Sequence, residues 1–276
     1  MPLKLMYITN NLDVALIAQD NGVDRIWIDL ETLGKEERQK NRDTVKSNHS
    51  VNDIRVISKH LYSSEMMVRV NPWNPDSVRE ITDVIDAGAQ IIMLPYWKTT
   101  KEVSNFLETV NGKCKTSLLL ETKEAVECLD EVLKLDGIDE IHIGLNDLHL
   151  SYGLTFMFEL LSDGTVERLC SKIKEADIPY GFGGIAKIGQ GDVPAENIIL
   201  EHYRLGSTRA ILSRSFCNYE KLKDLDVIRK TFKESMIELR EFEEKAAITS
   251  QKDFAENKKK LGILIENVVE KKKSSC

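Results

Sequence analysis

The chain has 276 residues, with 38 Lys+Arg against 45 Asp+Glu, a formal charge of −7, and 42% hydrophobic and 30% charged residues. This is the composition of a folded globular chain rather than a disordered one. The acidic balance argues against nucleic-acid binding, because a phosphate backbone needs a basic footprint.

No apolar run approaches the ~18 residues of a membrane span. The opening MPLKLMYITNN lacks the apolar stretch and small-residue cleavage site of an export signal. Five scattered cysteines (Cys114, Cys128, Cys170, Cys217 and Cys276) form no CxxC pair. They read as buried small hydrophobes and a free tail thiol, so a reducing, cytoplasmic setting is expected.

Short β-branched runs alternate with longer amphipathic ones along the chain. Strands are expected at 5–8, 25–30, 66–70, 90–94, 116–120, 140–143, 180–182 and 210–212. Helices are expected at 12–21, 52–60, 75–87, 100–110, 123–135, 164–176 and 194–205, with stop signals such as VIDAGAQ at 84–90, where Gly precedes a new strand. Eight strands with helices between them make the count of a (β/α)₈ TIM barrel. The rival, an open doubly wound sheet, usually has a glycine-rich loop after its first strand. Here that loop is Thr9-Asn10-Asn11-Leu12, without glycine.

Two segments break the repeat. Residues 32–48 form a polar insertion carrying Lys35, Arg38, Lys40, Arg42 and Lys46, and a long loop without apolar period is usually functional or disordered. After Asp224 a helix runs through Phe232, Met236, Leu239 and Phe242. A second helical stretch, 254–270, is apolar on more than one face. Residues 1–223 are therefore expected to form the catalytic barrel. Residues 224–276 are expected to be its last helix and a C-terminal helical extension, buried on a neighbouring subunit or on its own barrel.

Reacting groups of such barrels sit at the C-terminal ends of the strands. Those ends read Asp29 and Glu31, Arg69, Pro95-Tyr96-Trp97, Glu121-Thr122, and Gly144-Leu145-Asn146-Asp147. Carboxylates gathered with an arginine are rarely buried unless paired or bound to a cation. Two carboxylates completed by water make the oxygen site that Mg²⁺ or Mn²⁺ prefers. The arginine beside them can then grip a substrate carboxylate, a combination suited to stabilising an enolate. The same residues also read as a structural ion pair between Glu121 and Arg69 on the rim.

The strings WIDLE (27–31), RVNP (69–72), DAGAQIIMLP (86–95), LLLET (118–122) and GLNDLHLSYG (144–153) occur in that order. Together they resemble the metal-dependent pyruvate aldolase and citrate lyase β-subunit family, which has a phosphoenolpyruvate/pyruvate-type TIM barrel. LGSTRAILSRSF (205–216) resembles its last strand. The resemblance implies Glu121 and Asp147 as metal ligands and Arg69 as the grip on the pyruvate unit. It also implies an acid/base histidine supported by an aspartate, here Asp86.

The family places that histidine directly after the strand-two glutamate, where this chain has Thr32. His49-Ser50-Val51-Asn52 carries the same HxxN arrangement further on, as if the insertion had displaced it. His149 is the rival. His142 reads as a satisfied barrel histidine, and His60 and His202 as structural or exposed. Asp29, Glu31, Asn146 and Arg214 are further substrate-binding candidates. Ser213-Arg214, the glycines at 181–184 and the basic insertion point to an anionic or sugar-derived co-substrate, although Arg214 could equally pair with Glu201.

The function expected is a divalent-metal-dependent aldolase that cleaves or forms 4-hydroxy-2-keto acids from pyruvate and an aldehyde, as a homo-oligomer. The alternatives are a malyl- or citramalyl-CoA-type lyase and a non-catalytic scaffold barrel.

Overall fold

The computed structural model describes residues 1–34 and 48–274. Lys35, Arg38, Lys40, Arg42, Lys46 and Cys276 lie outside the described residues.

Among the described residues, eight strands pair in parallel in chain order, and the last closes on the first. They are β1 (Lys4–Ile8), β2 (Arg25–Asp29), β3 (Glu65–Arg69), β4 (Ile91–Leu94), β5 (Lys115–Leu120), β6 (Glu140–Ile143), β7 (Tyr180–Ile185) and β8 (Arg209–Leu212). Parallel strands are buried on both faces, so they read as continuous apolar runs rather than alternating ones. In β4, IIML, all four residues are buried.

The helices around the barrel are α1 (Leu12–Asp20), α2 (Val51–Ser58), α3 (Ser77–Ala87), α4 (Thr100–Val110), α5 (Lys123–Glu127), α6 (Leu129–Val132), α7 (Leu145–Ser151), α8 (Glu159–Ser162), α9 (Thr165–Glu175), α10 (Ala195–Leu205), α11 (Tyr219–Leu222), α12 (Leu225–Ala247) and α13 (Gln251–Ser274). Local chemistry sets several of their ends. Ser50 and Asp53 form a reciprocal capping box at the start of α2, as do Thr99 and Glu102 at α4. Gly88 ends α3 at φ 111°, and a Cβ there would sit 2.6 Å from Ser58 Oγ. The chain therefore turns toward β4 where only glycine fits.

Three layers fill the barrel. At the floor, Arg25 of β2 reaches across to Glu140 of β6 at 2.7 and 2.8 Å, and Arg209 of β8 joins the same carboxylate. Gly181 is needed beside them, because a Cβ there would collide with Arg209. Above the charges sits an apolar plug of Met6, Trp27, Met67, Ile91, Met93 and Leu119. The third layer is the mouth, where β2 ends in Asp29 and β3 in Arg69.

The structure departs from the sequence expectation in the helices between β5 and β7. GLNDLHLSYG and the residues after it hold two short helices, α7 and α8, where no helix was expected. The single helix expected over 123–135 breaks at Cys128 into α5 and α6. The C-terminal extension buries Phe254, Asn257, Leu261 and Ile265, and α13 packs against α10 and α8 of its own barrel. Asn197 of α10 and Asn257 of α13 are hydrogen-bonded at 2.7 Å in that buried seam. Among the described residues, no helix is long and apolar enough to cross a membrane.

Candidate active site

A cavity of about 470 Å³ opens at the C-terminal ends of the strands. Of the candidate site residues, Asp29, Glu31, His49, Arg69, Glu121, Asn146, Asp147 and Arg214 line it.

Arg69 is held by its neighbours on β2. Its Nε and Nη2 donate to the two carboxylate oxygens of Asp29, both at 2.8 Å, and Glu31 lies 3.4 Å from Nε. The guanidinium stands over the Trp27 ring at 5.3 Å. Burial weakens its hold on its proton, but Asp29 and Glu31, with Glu121 beyond them, more than reverse this. Arg69 is raised above the ordinary range and stays cationic. The ion pair that the alternative reading placed between Arg69 and Glu121 is formed by Arg69 with Asp29 and Glu31.

His49 stands just ahead of α2. Its Nδ1 accepts the backbone N–H of Asp29 at 2.9 Å. An amide N–H only donates, so the neutral ring carries its proton on Nε2.

Glu121 directly follows β5 and is buried. Its Oε1 accepts the Tyr96 backbone N–H at 3.0 Å. Tyr96 has φ 50°, a costly conformation for a non-glycine residue. That strained amide, rather than the Tyr96 ring, is what the Tyr96-Trp97 pair contributes; Trp97 itself is buried in the outer core. The other oxygen, Oε2, lies beside Gly144, where a Cβ would come within 2.8 Å of it. Asp147 follows in the first turn of α7.

Among the described residues, no group of three or more His, Cys, Asp or Glu converges as a metal site. Glu121 and Asp147 nonetheless fit a Mg²⁺ or Mn²⁺ site. They are hard carboxylate donors beside a backbone kept clear by glycine, and these ions keep several waters.

Asp86, the expected support of the histidine, lies exposed in the last turn of α3 and is not among the residues lining the cavity. His149 also differs from expectation: it is buried, with Nδ1 3.1 Å from the Leu145 carbonyl, a bond back into its own helix. Arg214 is exposed on the rim, and Glu201 is paired with Arg204 instead.

Sequence reasoning missed Tyr7 of β1, Asn10 in the loop after it, Asn218 after β8, and Tyr219 and Glu220 at the start of α11, all of which line the cavity. For Asn10 and for Asn218, Tyr219 and Glu220 the one available signal was their position after a strand end. It also set aside His142, which lines the cavity from β6.

A model of the HpcH/HpaI aldolase/citrate lyase family matches residues 5–159, more than half of the chain. The chain is 24% identical over 144 residues to a hydroxypyruvate/pyruvate aldolase of Roseovarius nubinhibens, covering 40% of this chain and 55% of that one. It is 26% identical over 167 residues to a protein of the same name from Rhizorhabdus wittichii, covering 48% and 65%. The chain thus spans about half to two thirds of the length of these curated relatives.

In fold it is similar to a crystal structure of an HpcH/HpaI aldolase/citrate lyase family protein from Burkholderia cenocepacia. The TM-score is 0.59 at 15% identity, over 83% of this chain and 95% of that one. The matched residues include β1 to β6 and the strand ends that carry Arg69, Glu121 and Asp147. The chain belongs to the HpcH/HpaI aldolase/citrate lyase family.

Proposed function

We propose that the chain is a divalent-cation-assisted aldolase that forms or cleaves 4-hydroxy-2-keto acids. Its nucleophile would be the enolate of pyruvate or, by likeness to the two relatives, of hydroxypyruvate. The observation that carries this reading is the meeting of Arg69, His49, Glu121 and Asp147 in one cavity at the strand ends. Its volume of about 470 Å³ suits a small keto acid with an aldehyde.

Arg69 binds the substrate carboxylate. With Nε and Nη2 held by Asp29, it meets the substrate through Nη1, and Asp29 and Glu31 fix the fork in place. Glu121 and Asp147 would hold the Mg²⁺ or Mn²⁺, which when bound supplies positive charge that stabilises the enolate.

To give the Nε2 proton to the oxygen on C4, the atom that gains negative charge as the aldehyde is attacked, His49 must take a proton on Nδ1 and release the Asp29 amide, so that the ring ends neutral with its proton on Nδ1. In cleavage the C4 hydroxyl must lose its proton. For His49 to take it on Nε2, the ring must first release the Asp29 amide and move its own proton to Nδ1. Arg214 on the rim is placed for an anionic or sugar-derived aldehyde.

The test is release of pyruvate from a 4-hydroxy-2-keto acid in the presence of Mn²⁺ or Mg²⁺. Turnover should stop on chelation and return with the cation. Turnover unaffected by thorough chelation would remove the cation from this reading.

A further inference from the structure

The middle of the barrel holds two buried polar atoms that this chemistry leaves unused. Arg25 and Glu140 bond across the barrel from β2 and β6. Two residues further along each strand, on the same face, are Trp27 and His142. Both stand one layer above the charged floor, on the two strands that the Arg25–Glu140 bond joins across the barrel, and both line the cavity.

His142 Nε2 lies 3.2 Å from the Gly183 carbonyl oxygen. A carbonyl only accepts, so Nε2 carries the proton and Nδ1 presents a lone pair. Among the described residues, that lone pair has no hydrogen-bond partner, and neither has the indole N–H of Trp27. The two side chains are 0% and 1% exposed, so bulk water does not satisfy them either. The charged groups facing His142 from below are Glu140, Arg209 and Arg25, and burial pulls the ring down to about 4. It stays neutral, and Nδ1 remains an acceptor. Unsatisfied buried groups are rare in native proteins and call for a ligand or an ordered water.

The chemistry of a 2-keto acid limits what can answer. Its carboxylate and keto oxygen only accept, so the one donor such a substrate can bring to His142 Nδ1 is a hydroxyl. A hydroxyl also accepts, which matches the Trp27 N–H. Arg69, the carboxylate grip in the reading above, stands directly over the Trp27 ring.

Resting on that reading of the cavity, we propose that His142 and Trp27 form a hydroxyl-reading floor. His142 Nδ1 accepts from, and the Trp27 indole N–H donates to, a hydroxyl of the keto acid, so that the site prefers a 3-hydroxylated 2-keto acid such as hydroxypyruvate over pyruvate. A site built to bond a hydroxyl rejects the analogue lacking it, because its polar groups are then left unpaired.

The test uses the full chain with Mn²⁺ and two probes, hydroxypyruvate and pyruvate. Calorimetry gives the ratio of their dissociation constants, and kcat/KM with one common aldehyde gives the kinetic ratio. The wild type should favour hydroxypyruvate by about tenfold or more, and His142→Phe should bring the ratio close to one. Trp27→Phe, which removes only the N–H, should narrow it in part. If His142→Phe does not fold, the wild-type ¹⁵N signal of His142 Nδ1 still decides. It should move on adding hydroxypyruvate and stay in place with pyruvate.

Equal wild-type affinities, or parallel losses for both acids in the variants, would overturn the floor; a water entering with pyruvate would produce the first of these. Discrimination in binding without aldol turnover would uphold the floor and remove the aldolase reading. Turnover of both acids alike would do the reverse.

Discussion

The backbone N–H of Asp29 donates to His49 Nδ1 at 2.9 Å, while the carboxylate of the same residue takes both prongs of Arg69. One residue of β2 therefore sets the tautomer of the histidine and the direction of the guanidinium. The side chain after the insertion is tied back to the strand before it, so the HxxN histidine reaches the mouth although it is displaced along the chain.

This bond has a direct spectroscopic consequence. Nitrogen-15 spectra of the free protein should show His49 neutral with the proton on Nε2. His49→Ala should lower kcat by about 10²- to 10⁴-fold, the usual contribution of a proton-handling group, with Mn²⁺ affinity unchanged. A resting Nδ1–H tautomer would show that the Asp29 link is not made in solution.

Gly144 tests the position of Glu121. A Cβ at Gly144 would meet Glu121 Oε2 at 2.8 Å and Glu121 Cβ at 2.9 Å. Gly144→Ala should displace the carboxylate and weaken Mn²⁺ binding by about 10- to 100-fold, as disturbing the support of a metal ligand typically does. Titration calorimetry reads the change, and an unchanged affinity would mean that Glu121 is not a ligand.

The charged floor of the barrel concerns stability rather than the reaction. Burial pushes Glu140 up, but Arg25 and Arg209 outweigh it and hold the carboxyl below the ordinary range. Glu140→Ala would leave two arginines buried without that partner. It should cost about 3–5 kcal/mol in urea unfolding, as breaking a buried pair from one side does. A loss below about 1 kcal/mol would show that water reaches the floor.

Two histidines should make stability depend on pH. Burial pulls His142 down to about 4 and His202 to about 3, the latter helped by His142. In the unfolded chain both titrate near 6.5, so below that pH the unfolded state binds more protons than the native one. Stability should be flat above about pH 7 and fall steadily from about 6.5 toward 4, by a few kcal/mol in all. Urea midpoints at stepped pH check this, and His202→Leu should flatten the slope. A decline that begins only in the carboxylate range would contradict it.

Most of the barrel was legible because parallel strands buried on both faces announce themselves as short apolar runs between capped helices. The mouth was legible because charged residues such as Arg69 and Glu121 end those runs. The parts missed have physical reasons. Helices α7 and α8 are too short to show a period. In an all-buried strand such as RIWID, composition does not tell inside from outside. The inward role of Trp27, like that of His142, appears only once Arg25 is seen bonded to Glu140 across the barrel.

The measurement closest to the central claim pairs Mn²⁺ binding with pyruvate release in the wild type and in Glu121→Ala. The wild type should bind Mn²⁺ and release pyruvate from a 4-hydroxy-2-keto acid, and Glu121→Ala should lose both while keeping its fold. A Glu121→Ala protein that binds Mn²⁺ and turns over as the wild type does would contradict it.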